Sequence, residues 1–225
     1  MSDKDNDKFG EVDRRGLLKC GAWAGAGVLW TLRGGIAAGS LLGEEACAAP
    51  ASAGDFSFVQ ISDTHIGFNK PANPDPVGTL NQAIAKIKAL PTPPAFIIHT
   101  GDITHTSTPE QFDNAHQLLS ALGGEIHYVP GEHDTQDENN GREFLSRFGA
   151  NTRGDGWYSF DQGGAHFIAL VNVVHLTPGS GLGSLGGDQI AWLRDDVAHL
   201  PSSTPIVVFI FSPALPMSAA RFSRR

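Results

Sequence analysis

The sequence predicts one α/β domain organised around a parallel β-sheet. The chain has 225 residues and 40% hydrophobic content, which is enough for one sizeable core but short for two. Short apolar runs alternate with helical stretches from Phe56 onward, an order typical of parallel strands joined by right-handed crossovers. Polar residues follow three of these runs directly. We therefore expect them at one edge of the sheet, where open α/β sheets hold their ligands.

The first 53 residues have the pattern of an export leader. Arg14 and Arg15 precede the small and apolar run Cys20–Trp30, as in a twin-arginine signal, and small-residue cleavage options lie between residues 46 and 53. A membrane anchor is the alternative, but Arg33 and several glycines interrupt the run before it reaches about 20 residues. We expect a periplasmic or extracellular protein with transient membrane contact through its signal, a domain over 54–211 and an irregular tail over 212–225.

Several segments of the domain have the pattern of regular structure. In order they are strand Phe56–Ser62, helix Val77–Leu90, strand Ala95–His99, helix Pro109–Leu122, strand Glu125–Val129, helix Arg142–Phe148, strands Trp157–Asp161 and Ala165–Val171, helix Gln189–Leu200 and strand Ile206–Phe211. The first helix carries Leu80, Ile84 and Ile87 on one face. Pro91 ends that helix, and Thr108 is a candidate N-cap of the next one.

The second half of the domain changes to an antiparallel pattern. Gln162-Gly163-Gly164 separates two apolar runs and predicts a β-hairpin. Gly179–Gly187 is rich in glycine but lacks the residue order of a phosphate-binding loop, so we expect a connection there. The last helix has Ile190, Leu193 and Val197 along one side, and a buried strand follows it.

Charge and cysteine content exclude some classes of protein. The formal net charge is -8, so the chain has no basic surplus with which to neutralise phosphates, and no nucleic-acid partner is expected. Cys20 and Cys47 are the only cysteines, and both lie in the predicted leader. No disulfide framework is therefore expected in the domain, and its oligomeric state is left open.

Three short motifs follow three successive strands. Asp63 and His65 stand two positions apart where the first strand ends, so that in an extended segment both face the same way and can share a cation. Gly101-Asp102 follows the second strand, and Gly131-Glu132-His133-Asp134 follows the third. Each motif alone is common as a cap or turn, but the parallel topology brings all three loops together.

These motifs, in this order and spacing, resemble those of the calcineurin-like metallophosphoesterases. That family's pattern runs Asp-x-His, Gly-Asp and Gly-Asn-His-Asp/Glu, followed by a His beside a proline and a closing Gly-His-x-His. The resemblance implies a calcineurin-like αββα sandwich whose βαβ units carry the metal loops. It also implies two divalent or trivalent cations, Mn, Fe or Zn, and hydrolysis of a small phosphate mono- or diester.

The resemblance implies a role for each motif residue. Asp63 and His65 would bind one metal, and Asp102 would bridge it to a second. Glu132 replaces the usual Asn, as in a branch of exported bacterial members, and would be an anionic ligand of the second metal; a solvated loop carboxylate is the alternative. His133 would stabilise the phosphoryl charge or protonate the leaving oxygen, with Asp134 as the candidate group that orients it.

The remaining histidines have weaker signals. For His105 a supporting role beside the metals and plain solvent exposure are both open. His99 lies at a strand end and is more typical of a packed core histidine than of a ligand. His175 could reach the active edge but does not match the family's fourth motif.

The C-terminal part departs from the family pattern. Phe211 occupies the position where a histidine is expected before Pro213, and the closing Gly-His-x-His is absent. Phe offers no donor atom, so the second metal site is doubtful. We expect an incomplete second sheet that exposes apolar surface and lowers stability, and our hypothesis is a truncation or reading-frame change near Ile210.

Two functions remain open at this point. The first is a metal-dependent phosphoesterase that is impaired in this chain. The alternative is a non-catalytic remnant of the same fold that binds a metal or another protein.

Overall fold

A computed structural model describes residues 27–33, 36–42, 56–174 and 184–211. Its strands are β1 Val28–Arg33, β2 Ile36–Leu41, β3 Phe56–Ile61, β4 Ile97–His99, β5 Ile126–Tyr128, β6 Tyr158–Gln162, β7 Ala165–Leu170 and β8 Ile206–Ile210. Its helices are α1 Pro76–Lys88, α2 Pro109–Ser120, α3 Arg142–Phe148 and α4 Gly187–Ala198. The strands of this part of the chain form two sheets, of order β2-β1-β3-β4-β5 and β6-β7-β8.

The parallel core of the first sheet confirms the predicted strand and helix units. Strands β3, β4 and β5 are parallel neighbours, and α1 and α2 connect them. Ile61 is opposite His99, which is opposite Tyr128, so the three strands end level with one another. The loops that carry the three motifs therefore start from one edge of the sheet.

The two helices of these crossovers begin at polar caps. The side chain of Asp75 accepts a hydrogen bond from the Gly78 amide at 2.8 Å, and Pro76 occupies the first helical turn. The Thr108 hydroxyl accepts one from the Gln111 amide at 3.3 Å, which confirms the predicted N-cap. No helix in the described ranges is long and apolar enough to cross a membrane.

The second sheet contains the predicted hairpin. Strands β6 and β7 are antiparallel, and Gly163 and Gly164 between them have φ values of 57° and 79°, a left-handed conformation that glycine adopts without strain. Strand β8 returns parallel to β7 after α4. The side chain of Gln189 on α4 bonds both the amide and the carbonyl of Val171, which holds this helix against the end of β7.

The described residues form helix, sheet, sheet and helix layers, as expected from the αββα prediction. Helix α4 contacts the second sheet through Asp196, which bonds Ser159 and His166. Helices α1, α2 and α3 pack on one face of the first sheet through an apolar cluster that includes Leu80, Ile84 and Phe112. The second sheet packs on the opposite face through aromatic rings. The Phe58 ring stacks on Phe96 within the first sheet, with centroids 4.7 Å apart, and meets the Phe167 ring of the second sheet edge-on at 5.7 Å.

The open side of β8 exposes apolar residues, as expected. Ile206, Val208 and Ile210 are 47%, 49% and 43% exposed, whereas Phe209 between them is buried in the inter-sheet core. Among the described strands, β8 pairs with β7 alone. One face of the second sheet therefore presents apolar surface to solvent.

Strands β1 and β2 come from the segment that the sequence placed in the leader. Strand β1 is antiparallel to β3, with Trp30 opposite Phe58, and the Trp30 indole N–H donates to Gln60 Oε1 at 2.9 Å. Leu32 is buried in the inter-sheet core. Two strands that precede residue 54 therefore pair within this sheet, and the domain boundary at residue 54 stays a prediction. Val28, Trp30 and Thr31 are β-branched or aromatic residues, which suit a strand beside β3.

Other predictions fall outside the described residues. They concern the paired arginines Arg14 and Arg15, both cysteines, the cleavage region between 46 and 53, His175, most of the loop Gly179–Gly187 and the tail 212–225. The twin-arginine signal stays a prediction.

Candidate metal centre

The loops after β3 and β4 lie side by side at the sheet edge. The Asp63 amide donates to the Gly101 carbonyl at 3.0 Å, and the His65 amide donates to the Asp102 carbonyl at 2.9 Å. Asp63, His65 and Asp102 have φ values of 56°, 42° and 53°. Left-handed backbone is costly for residues with a Cβ and is concentrated at functional sites, and here it occurs at three of the predicted ligands.

Asp63, His65 and Asp102 converge as the sequence predicts. His65 Nε2 lies 3.9 Å from Asp63 Oδ1 and 3.6 Å from Asp102 Oδ2, and one ligand atom of each residue lies within 4.8 Å of the others. His65 and Asp102 are buried, while the Asp63 side chain is half exposed. Two carboxylates and one imidazole form a donor set for a divalent cation that is open on one side.

Asp102 is the central carboxylate of the site. Its Oδ1 accepts a hydrogen bond from the His133 amide at 2.9 Å. Burial, reinforced by the charges of Asp134, Asp63 and Glu132, raises the pKa of Asp102 to about 8, despite the opposing effect of that hydrogen bond. Such crowding of negative charge fits a cation, because a bound cation would neutralise it.

A second ligand group adjoins the first and shares Asp102. Glu132 and His133 lie in a short 3₁₀ turn over Glu132–Asp134, and one ligand atom of each lies within 4.8 Å of a ligand atom of Asp102. Gly131 before them packs so closely on Asp102 that a Cβ would collide with the Asp102 amide and Oδ1. The residues thus fit two adjacent cations with Asp102 between them.

His133 is held in one tautomer by a backbone group. Its Nδ1 lies 2.6 Å from the carbonyl oxygen of His105. A carbonyl can only accept, so Nδ1 carries the proton and donates it. The other nitrogen, Nε2, then has a lone pair when the ring is neutral and can bind a cation or take up a proton.

The Asp134 carboxylate binds groups of the second and third loops, and its predicted role in orienting His133 stays a prediction. No described contact joins its carboxylate to the His133 ring. Instead the carboxylate is fully buried and accepts hydrogen bonds from the Gly131, Ile103 and Thr104 amides and from the Thr104 hydroxyl, at 2.8 to 3.0 Å. Burial raises the pKa of Asp134, although these donors oppose the shift. Asp134 ties the third loop to the second, and the His105 carbonyl orients His133.

The surroundings of His65 and His105 favour their neutral imidazoles. Burial, together with the neighbouring His133 and His105, lowers the pKa of His65 to about 4. Burial and the same neighbour His133 also lower the pKa of His105. Neutral imidazole is the form that binds metals, so the electrostatics of the loops favour ligation at neutral pH.

His99 is a packed core histidine. It is fully buried, and its Nδ1 accepts from the Gly101 amide at 3.3 Å, which leaves the proton on Nε2 facing the Thr64 hydroxyl at 2.9 Å. That hydroxyl in turn donates to the Ile103 carbonyl. Sequence reasoning missed this chain of hydrogen bonds between the first two loops. The signal was Thr64, the middle residue of Asp-x-His, whose hydroxyl can reach a neighbouring loop.

Phe211 lies at the same edge of the first sheet as the candidate metal loops. A Cβ on Gly101 would meet the Phe211 ring, and that ring is buried beside Trp157, Val171 and Val173. Position 211 therefore adjoins the loop that carries Asp102. Asn172, which the sequence analysis did not single out, donates to the Phe211 carbonyl at 2.9 Å and fixes the end of β8 against β7.

The sequence profile of the calcineurin-like phosphoesterase family matches residues 56–221. The chain therefore belongs to that family, as its motifs predicted. The match covers every residue of the two ligand groups described above.

Curated relatives are phosphodiesterases by name. A probable glycerophosphodiester phosphodiesterase GpdQ of Arcobacter nitrofigilis is 27% identical over 169 residues, covering 69% of this chain and 56% of the relative. A 3',5'-cyclic-nucleotide phosphodiesterase of Nostoc sp. is 25% identical over 171 residues, covering 75% of this chain and 60% of the relative. The chain thus spans less than two thirds of the length of these relatives.

The similarity to a solved structure is low. The phosphopantetheinyl hydrolase PptH of Mycobacterium tuberculosis aligns with 69% of this chain and 68% of its own, with a TM-score of 0.40 and 14% identity. A likeness at that level carries no argument about substrate.

Proposed function

We propose that the chain is a metal-dependent phosphoesterase that hydrolyses small phosphate esters, with diesters as the favoured class. The observation that carries this is the convergence of Asp63, His65 and Asp102, all in left-handed backbone, beside His133. The names of the curated relatives support the choice of diesters. The acidic net charge supports small esters over nucleic acids.

In this proposal Asp63, His65 and Asp102 would hold one cation, and Asp102 and Glu132 would hold a second. When bound, the cations would supply charge stabilisation for the phosphoryl oxygens and lower the pKa of the attacking water. His133 faces the same space with Nδ1 fixed on the His105 carbonyl. When its Nε2 carries a proton, that N–H can donate a hydrogen bond to a phosphoryl oxygen, and the same proton can be transferred to the leaving oxygen as the ester bond breaks.

The identity of residue 211 lowers the expected rate. The Phe211 ring lies against Gly101, where a donor atom would complete a cation's ligand shell. We propose that the second cation binds weakly for this reason and that turnover is low.

Turnover with defined metals tests the proposal. We expect purified full-length chain loaded with Mn²⁺, Fe²⁺ or Zn²⁺ to cleave an aryl phosphodiester. Asp102→Ala should lower the rate by at least about 100-fold, beyond the 10- to 100-fold typical of outer-sphere contacts. Glu138→Ala, an exposed carboxylate a few residues beyond the third motif, is the matched control and should keep the rate.

The second candidate is a non-catalytic member of the family that binds a metal or another protein. The exposed apolar residues of β8 and the apolar ring at 211 favour it. Absence of turnover with every metal, together with one bound metal or fewer per chain, would select this candidate.

We also propose export by the twin-arginine route to the periplasm or beyond. The support is the sequence pattern Arg14-Arg15 ahead of an apolar run. Replacing both arginines by lysine should keep a reporter fused to this chain inside the cell, and unchanged export would overturn the proposal.

A further inference from the structure

Three imidazole rings meet at the outer side of the candidate centre. The His65 ring lies 4.8 Å from the His133 ring and 5.6 Å from the His105 ring, and the last two lie 5.0 Å apart, between ring centroids. One ring nitrogen of each lies within 4.8 Å of the others. The two-cation arrangement uses His65 and His133 but gives no role to the ring of His105.

The position of His105 is fixed by its surroundings. Its amide lies 3.2 Å from Gln111 Oε1 and donates to it, and its carbonyl accepts from His133. Its ring meets the Phe68 ring edge-on at 5.0 Å. The loop and the ring are therefore held on three sides, so this imidazole is not a freely rotating surface side chain.

One buried ring nitrogen of His105 has no hydrogen-bond partner among the described residues. Its Nδ1 is shielded from solvent and has no hydrogen-bond partner within the described ranges. Burying a polar nitrogen in this way is costly, and native structures generally supply a partner, an ordered water or an ion. The nearest polar groups around the ring include the two other imidazoles.

The donor chemistry of this group differs from that of the carboxylate groups. Imidazole nitrogens suit Zn²⁺, Cu²⁺ and Ni²⁺, whereas carboxylate-rich groups suit Mn²⁺ and Mg²⁺. A tetrahedral Zn²⁺ with bonds of 2.0–2.1 Å needs nitrogens about 3.3 Å apart, so small side-chain rotations from the present spacing would close the group on a cation.

We propose that His65, His105 and His133 form a third, all-imidazole binding site for Zn²⁺ or Cu²⁺. This site overlaps the two carboxylate-containing sites, because it shares His65 with one and His133 with the other. A cation in the all-imidazole site therefore withdraws two side chains from the phosphoesterase centre and inhibits it. The inhibitory consequence rests on the proposed function, but the binding site itself does not.

Copper spectroscopy tests the site without any need for turnover. One equivalent of Cu²⁺ is added to the full-length chain, and electron paramagnetic resonance counts the coordinated nitrogens. We expect three nitrogens in the unmodified chain and two in His105→Phe, which keeps an aromatic ring against Phe68. His116→Phe, at an exposed histidine on α2, should still show three. A nitrogen pattern in His105→Phe equal to that of the unmodified chain would overturn the proposal.

Inhibition by zinc tests the consequence. With Mn²⁺ supporting turnover, added Zn²⁺ should inhibit the unmodified chain, and His105→Phe should raise the half-inhibiting Zn²⁺ concentration by about tenfold or more. An unchanged value would refute the inhibitory role. If no metal supports turnover, the proposed function fails while the copper measurement still decides whether the all-imidazole site exists.

Discussion

At Asp102, burial in the fold favours the protonated carboxyl group, whereas metal binding requires the ionised carboxylate. Asp102 is 4% exposed, its backbone is left-handed, and burial raises its pKa to about 8. The protonated form is thus favoured in the metal-free fold. Each such backbone conformation costs about 1–3 kcal/mol, and the surrounding loops maintain it through hydrogen bonds.

Asp102→Asn should therefore stabilise the metal-free chain. A raised carboxyl pKa makes the fold progressively less stable as pH rises from 3.8 toward 8, whereas the amide has no charge to bury. At pH 7 we expect a gain of at least about 1 kcal/mol, since one pKa unit corresponds to about 1.4 kcal/mol. Urea unfolding with and without metal measures both effects. If added metal stabilised Asp102→Asn as much as it stabilises the unmodified chain, Asp102 would not be a metal ligand.

Phe211→His tests whether the site lacks only a donor atom. The new imidazole would lie beside Gly101 at the metal edge, so we expect a second equivalent of bound metal and turnover raised by about tenfold. The packing loss should cost about 1–3 kcal/mol. Phe209→His is the matched control, because that ring lies between the sheets and a donor there should add no metal. Metal content by elemental analysis and aryl phosphodiester turnover provide the comparison.

At the level of elements, one histidine links the hairpin to the last helix. His166 on β7 is buried, with Nδ1 2.8 Å from Asp161 Oδ1 and Nε2 2.9 Å from Asp196 Oδ2 on α4. Both nitrogens face carboxylates, so both donate only when the ring is charged. Burial opposes the charge, but the hydrogen bonds to Asp196 and Asp161 prevail and raise the pKa of His166.

This contact predicts a pH dependence of stability. Because the folded pKa lies above the ordinary 6.5, its stabilisation is complete below pH 6.5 and is lost as pH rises through the raised value. Asp196→Asn should remove about 1–2 kcal/mol at pH 6 and flatten the dependence. Asp195→Asn, at an exposed neighbour, should change neither. Urea unfolding midpoints measured from pH 5.5 to 8.5 test this prediction. If the midpoint depended on pH equally in both variants, the His166–Asp196 contact would not be the source of the pH dependence.

The elements also show what the sequence could predict. The strands, crossovers and hairpin follow from local periodicity and turn residues, and the meeting of Asp63, His65 and Asp102 follows from parallel topology. The role of Asp134 depends on how closely two loops approach, which no local pattern encodes. His105 was left open for the same reason, because its partners come from the first and third loops.

At the level of the whole molecule, the predicted leader and the folded domain overlap. Strand β1 pairs with β3 over Leu32↔Phe56 to Val28↔Gln60, and Trp30 bonds Gln60. The same apolar run has the composition of a signal and of a β-strand, so sequence alone could not separate the two. The question becomes whether the domain needs these strands.

A shortened chain that starts at Gly54 tests whether the domain needs β1 and β2. We expect removal of residues 1–53 to lower the free energy of unfolding by about 2–5 kcal/mol, the value for one or two large apolar side chains leaving the core. Thermal unfolding followed by circular dichroism compares the two chains. An equal or higher midpoint for the shorter chain would show that pairing of β1 with β3 does not stabilise the domain in solution.

The close packing around Gly131 should restrict which codons the gene tolerates at this position. The Gly131 φ of -97° is ordinary for any amino acid, yet a Cβ there would overlap Asp102. Every missense codon at this position therefore adds an atom where the metal loops leave no room. Gly187 has open space around it and no special conformation. In a deep mutational scan under selection for activity, substitutions at codon 131 should be depleted and substitutions at codon 187 should be widely tolerated.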